Sequence, residues 1–217
     1  MIMAPTATDY RWISEYRELL EGYCAVLVRG ITVQQFLRDM QAEPLGELSG
    51  YAALEERSTE VFAEYRRNRS GGRRYLIGAA SVPGDQGEWV LGLEVHGALG
   101  VRDHLVAPLA RGTRLVSHFR NVNADDRFCW YEDGELRTSF EPMLPIHRAG
   151  SAPDGLVESM AEVGFELRGW DDREPSLHTE AAFALAERLT GVRVTAELLD
   201  KATFAAGIVP WSAVKRP

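Results

Sequence analysis

Two strand-length apolar runs joined by a short turn constrain this chain more than any other feature. Tyr75 to Val82 and Trp89 to Val95 are linked by Pro83-Gly84-Asp85-Gln86-Gly87. A parallel pair needs a crossover of about a dozen residues or more, so these two strands are expected to pair antiparallel. A second hairpin signal follows. Phe128 to Tyr131 and Leu136 to Phe140 flank Asp133-Gly134, a dipeptide that tolerates the positive φ of a type I′ turn. Arg114 to Val122 reads as a further strand, and Tyr23 to Val28 as a short apolar run suited to a buried one.

Helical periodicity brackets these strands. Trp12, Tyr16, Leu19, Leu20 and Tyr23 fall at helical spacing, with Gly22 as a stop. Thr32-Val33-Gln34-Gln35 is a capping box opening a helix through Phe36, Leu37 and Met40. A third helix is expected over Tyr51 to Arg67, acidic in its first part and basic at its end, with Gly71-Gly72 after it. A short one is expected over Arg102 to Ala110. Pro142, Pro145, Gly150 and Pro153 then separate the sheet from a C-terminal part. There, helices are expected after Pro153, over His178 to Thr190, and from Ala196 to about Ala205 behind a Thr195 cap. The fold class is therefore α+β: a mainly antiparallel sheet of about five or six strands with helices at both termini packed on it. One domain is expected over 1–217, within which 151–217 could form a helical C-terminal subdomain.

Composition narrows the partners. Among 217 residues 45% are hydrophobic and 26% charged, which is globular usage, and no apolar run is long enough for a membrane span. The N-terminus lacks a basic stretch followed by an apolar one, so no secretory signal is expected. Cys24 and Cys129 lie in apolar runs and are expected to be reduced, buried and inert, in keeping with a cytoplasmic location. A net charge of −8 disfavours nucleic acid and anionic membranes and would draw cationic partners.

No phosphate-binding loop, dinucleotide-binding glycine pattern, zinc-protease motif or nucleophile elbow is present, so no cofactor is expected. The most polar constellation is Glu94, His96, His118, Arg120, Asn121, Asn123, Asp125 and Asp126. Glu94 and His96 share one face at a strand end, and His118 and Arg120 share a face of another strand. Were those strands neighbours, Glu94, His96 and His118 could converge for proton transfer. A metal needs a third or fourth ligand, so none is assigned. The favoured alternative is that 121–126 is turn chemistry and that the histidines decorate a solvated sheet face.

Three other features have the same double character. Arg66, Arg67, Arg69, Arg73 and Arg74 could grip phosphates, but a solvated helix end answering its dipole explains them better. The stretch from Ala186 to Leu199 has the order of a helix-turn-helix, yet its second helix is acidic and would repel DNA. In the Asp133-Gly134 hairpin, Trp130 is expected opposite Arg137 and Tyr131 opposite Leu136, pairing an indole with a cation.

The strings Trp89-Val90-Leu91-Gly92-Leu93-Glu94, Gly112-Thr113-Arg114-Leu115-Val116-Ser117, Asn121-Val122-Asn123-Ala124 and Ala182 to Val192 carry a resemblance. Together they resemble a family of uncharacterised proteins from Streptomyces and related actinomycetes, classed as a domain of unknown function. The similarity runs from about Tyr10 to Pro210. It implies a bacterial cytoplasmic setting and carries over no catalytic residue. The bias of the basic residues toward arginine, with only Lys201 and Lys215 as lysines, agrees with a high-GC genome.

The leading functional expectation is a non-catalytic protein-binding or regulatory module of the kind that serves in toxin immunity or phage defence. It would work with a protein partner or a second copy of itself. The alternatives are a small enzyme using Glu94 with His96 or His118, and a nucleotide or nucleic-acid binder through Arg66 to Arg74.

Overall fold

The computed structural model describes residues 4–168 and 177–215. Its centre is one antiparallel sheet of nine strands in the order β2-β9-β3-β4-β1-β5-β6-β7-β8. The strands are β1 (Tyr23–Arg29), β2 (Glu43–Ser49), β3 (Arg74–Gly84), β4 (Gly87–Val95), β5 (Arg114–Arg120), β6 (Asp126–Glu132), β7 (Glu135–Glu141), β8 (Leu144–Ala149) and β9 (Thr203–Pro210). The α+β class holds, but the expectation of five or six strands is corrected to nine.

The three additional strands are β2, β8 and β9, and each hid for a physical reason. β2 and β8 are the two edges of the sheet. An edge strand needs no alternating apolar face, and β2 is exposed along almost its whole length. Both also carry a proline, Pro44 and Pro145, which edges tolerate and which blunts further strand addition. β9 was expected as the end of the last helix. That helix, α7 (Ala196–Lys201), stops because Ala202 is already extended, and the chain enters the sheet between β2 and β3.

The sheet is covered on both sides. Because side chains alternate along a strand, each strand serves two cores. Tyr23, Ala25 and Leu27 of β1 join Leu91, Leu93, Val116 and Phe128 in the first core. Helices α1 (Arg17–Glu21), α3 (Gly50–Arg67), α5 (Val157–Val163) and α6 (His178–Thr190) lie over it, as does the 3-10 segment Ala7–Glu15. Val26 and Val28 join Ile77, Val90 and Leu115 in the second core, beneath α2 (Val33–Asp39) and α4 (Asp103–Val106). Two-sided burial explains why β1 is apolar without alternation.

Local signals meet their structural counterparts. Thr32 Oγ1 accepts from the Gln35 amide at 3.1 Å, and the Gln35 side chain accepts from the Thr32 amide at 2.7 Å, closing the box that starts α2. Asp133 and Gly134 both have positive φ, as a type I′ turn requires. One register differs from expectation. Tyr131 faces Leu136, but a bulge makes Arg137 the extra residue, so Trp130 lies opposite Thr138.

Helix α2 can approach the sheet only because Gly92 has no side chain. A Cβ there would stand 2.3 Å from the Phe36 ring. Gly92→Ala is therefore expected to destabilise the protein by about 1–3 kcal/mol, the usual penalty of overpacking, in urea denaturation at pH 7. A midpoint and slope equal to the parent's would disprove this packing.

Candidate functional site

The ladder between β3 and β4 begins at the turn, Gly84 opposite Gly87, and stops at Gly78 opposite Leu93. Beyond that point β3 runs on through Ile77 to Arg74 paired only with β9. β4 instead stays with β1 to its end, Val95 opposite Tyr23, and the His96 amide donates to Gly22 O at 3.1 Å. The two strands part and leave a gap. On the α3 side it opens into a cavity of about 210 Å³ walled by Val61, Phe62 and Tyr75. On the other side a cavity of about 170 Å³ is walled by Leu99, Arg102, Phe119 and Asn121. Arg73, Tyr75 and His96 line both.

Glu94 also lines the first cavity and is only 2% exposed. The Leu99 amide donates to its Oε2 at 2.7 Å, while its Oε1 is enclosed without a hydrogen-bond partner. Gly97 lies directly on the carboxyl group, leaving no room for a Cβ. The loop from Gly97 to Leu99 is thus folded around this one side chain. Burial pushes the Glu94 pKa up to about 8, against the pull of the Leu99 amide and of the Arg73 and Arg102 guanidinium groups. At neutral pH Glu94 is chiefly the uncharged acid.

The surroundings are cationic and aromatic. The Arg73 guanidinium stands 4.9 Å from the Tyr75 ring centroid and 5.8 Å from that of Phe62. Tyr75 stacks in turn on Trp211. Among the described residues neither Arg73 nor Arg102 has an ion-pair partner, whereas Arg74 reaches Glu43 at 3.7 Å. The arginine run therefore divides. Arg66 and Arg67 end α3 as dipole-compensating residues, and Arg73 enters the gap.

Glu94 and His96 are thus brought to one place, and His118 is not. β1 lies between β4 and β5, with Cys24 opposite both Glu94 and Phe119, and Ala25 opposite both Leu93 and His118. Glu94 and His118 consequently point to opposite faces of the sheet. Nor is His118 on a solvated face, being 1% exposed. Its Nδ1 shares a hydrogen bond with Tyr23 Oη at 2.9 Å, its ring sits edge-to-face with Phe183 at 4.4 Å, and burial lowers its pKa to about 3. It is a neutral core histidine.

The remaining candidates take local roles. Arg120 donates to Thr179 Oγ1 at 3.2 Å and lies 2.8 Å from His178 Nε2, joining β5 to the start of α6. Asn121 organises its own turn, with Oδ1 accepting from the Asn123 and Asp125 amides at 2.9 and 3.0 Å, and it also borders the second cavity. Asn123 is exposed in that turn. Trp130 Nε1 donates to Glu132 at 3.1 Å, and Arg137 pairs with Glu135 at 3.0 Å. Sequence reasoning missed Phe62, Tyr75 and Arg102 as neighbours of Glu94. They come from α3, β3 and the residue just before α4, and no local spacing relates them.

No group of three histidine, cysteine, aspartate or glutamate side chains among the described residues is arranged to hold a metal ion. No helix among them is long and apolar enough to cross a membrane. A model of a family of unknown function, DUF6461, matches residues 3–214. The chain belongs to that family. No curated protein and no solved structure matches it.

Two of the buried titratable groups in this DUF6461 member, Glu94 and His118, give its stability a dependence on pH. The folded pKa of Glu94, about 8, exceeds its ordinary 4.5, so the folded state holds the proton more tightly. That contribution is fully present below pH 4.5 and is lost as pH rises through 8, at about 1.4 kcal/mol per unit of pKa difference. His118 has the opposite sign, its contribution being lost as pH falls from 6.5 toward 3. Glu94→Gln is expected to flatten the alkaline limb and leave the acid limb unchanged, measured by urea denaturation between about pH 5 and 9. An unchanged alkaline limb would refute a buried, proton-bearing Glu94.

Proposed function

We propose that the chain is a single domain acting as a non-catalytic binding module whose ligand enters the gap between β3 and β4. The observation that carries this reading is Arg73 and Arg102, which have no ion-pair partner among the described residues, beside cavities walled by Phe62, Tyr75 and a buried carboxyl with an unused oxygen. A guanidinium without a carboxylate, in a chain of net charge −8, is a locally cationic feature on an acidic molecule. At about 210 Å³ the larger cavity lies below the ~300 Å³ of drug-sized pockets, so the occupant is a small molecule.

A protein partner has less support. Both sheet edges carry proline, and the large apolar side chains exposed among the described residues, Leu45, Phe62, Val122 and Trp211, come from separate elements. A small enzyme using Glu94 with His96 retains one observation in its favour, the raised pKa of Glu94, which suits an acid or base near neutral pH. A compound recovered unchanged after incubation supports binding, and one converted in a Glu94-dependent way supports the enzyme.

A thermal-shift screen of small metabolites at pH 7 tests the reading. At least one compound is expected to raise the melting temperature of the parent, and Arg73→Ala, at an exposed position, is expected to abolish the shift while lowering the unliganded melting temperature only slightly through the lost ring contacts. Shifts that survive both Arg73→Ala and Phe62→Ser would place the ligand elsewhere and sink the proposal.

A further inference from the structure

We infer that the gap selects a small oxyanion, a carboxylate or phosphate ester, carrying one flat apolar ring, and that the ligand lies against the wall in which Glu94 is enclosed. This rests on the gap being the binding site and adds the chemical class of the ligand.

The charge on the ligand follows from what surrounds the space. The charged and titratable groups around Glu94 and its cavity are Arg73 ahead of β3, Arg74 and Tyr75 on β3, Cys24 on β1, His96 at the end of β4, and Arg102 before α4, and of the arginines Arg74 is paired with Glu43. None of them is a carboxylate. Two are guanidinium groups without anionic partners among the described residues, in position to take an oxyanion through charge-assisted hydrogen bonds. An ionised Glu94 would repel that anion. A neutral one removes that repulsion. The Leu99 amide already occupies Oε2, which leaves Oε1 as the atom without a partner. Burial supplies the neutral form at physiological pH.

The ring follows from the walls. Val61, Phe62 and Tyr75 face one side of the gap, and Phe62 remains 48% exposed, a large apolar group that a flat ligand would cover. The guanidinium of Arg73 stands 5.8 Å from the Phe62 ring centroid and 4.9 Å from that of Tyr75, so a cation adjoins the apolar wall. A single ring with one anionic substituent matches both features within the available volume.

The test uses the full chain labelled with 15N and four probes of one size: benzoate, phenyl phosphate, benzamide and benzylamine. At pH 7 benzoate and phenyl phosphate are expected to shift the amide signals of His96, Gly97 and Leu99, while the neutral and cationic probes leave them in place. Arg73→Ala and Arg102→Ala are each expected to weaken benzoate binding roughly tenfold, the scale of one charge-assisted hydrogen bond. Glu94→Gln stays uncharged at all pH values. It is expected to bind benzoate equally at pH 7 and 9, whereas the parent weakens about tenfold at pH 9 as the acid ionises. Preference for benzylamine, or equal binding of benzoate and benzamide, overturns the oxyanion class and leaves the gap as a binding site. If none of the four moves these signals but a compound from the wider screen does, the class falls alone. If no compound moves them, both proposals fall.

Discussion

β1 is the strand on which the rest of the molecule depends. It hydrogen-bonds to β4 on one side and β5 on the other, and its two faces feed the two separate cores. Cys24, Ala25, Val26, Leu27 and Val28 are each at most 2% exposed. Burying each of Val26, Leu27 and Val28 contributes about 1.5–3 kcal/mol, so a short segment holds a large share of the driving force. It also joins the β3–β4 hairpin to the β5–β8 meander, which would otherwise be two small sheets with four unpaired edges between them.

The same strand creates the gap. β3 belongs to β9 at its beginning and to β4 at its end, while β4 follows β1 throughout. Where these commitments diverge, below Gly78 and Leu93, the backbone leaves space within the sheet rather than beside it. Glu94 occupies the wall of that space. An enclosed carboxyl with one unused oxygen is unfavourable, since a buried polar atom without a partner costs about 1–3 kcal/mol. Such a group is retained where surrounding structure holds it in place, here the loop from Gly97 to Leu99 closed over it.

Legibility in the sequence followed burial. The strands that could be read from residues alone, such as Tyr75 to Val82 and Phe128 to Tyr131, are those whose apolar residues face a core. β2 was illegible because it is exposed, and β9 because Ala205, Ala206 and Gly207 suit a helix end as well as a strand until neighbours decide. The polar constellation was legible as residue types but not as geometry. Glu94 and His118 lie on strands separated by β1, and a shift of one residue in register decides which face each uses. Arg73 was visible only as part of a basic run, and its separation from Arg66 and Arg67 required the chain to turn at Gly72 and enter β3.

By itself the sequence determined the local events: the Thr32 capping box, the Asp133-Gly134 turn, the stop of α5 at left-handed Gly164, and the antiparallel pairing forced by short links. These are set by neighbours within a few residues, through dihedral preference and hydrogen bonds to adjacent amides. Only the tertiary structure decided strand order, the two-sided cover of the sheet, and the company Glu94 keeps. Phe62, Arg73, Tyr75, Glu94 and Arg102 meet because β4 pairs with β1 beyond the point where β3 leaves it. That choice is made by burial of β1 on both faces, a long-range packing effect that no local window of the chain contains.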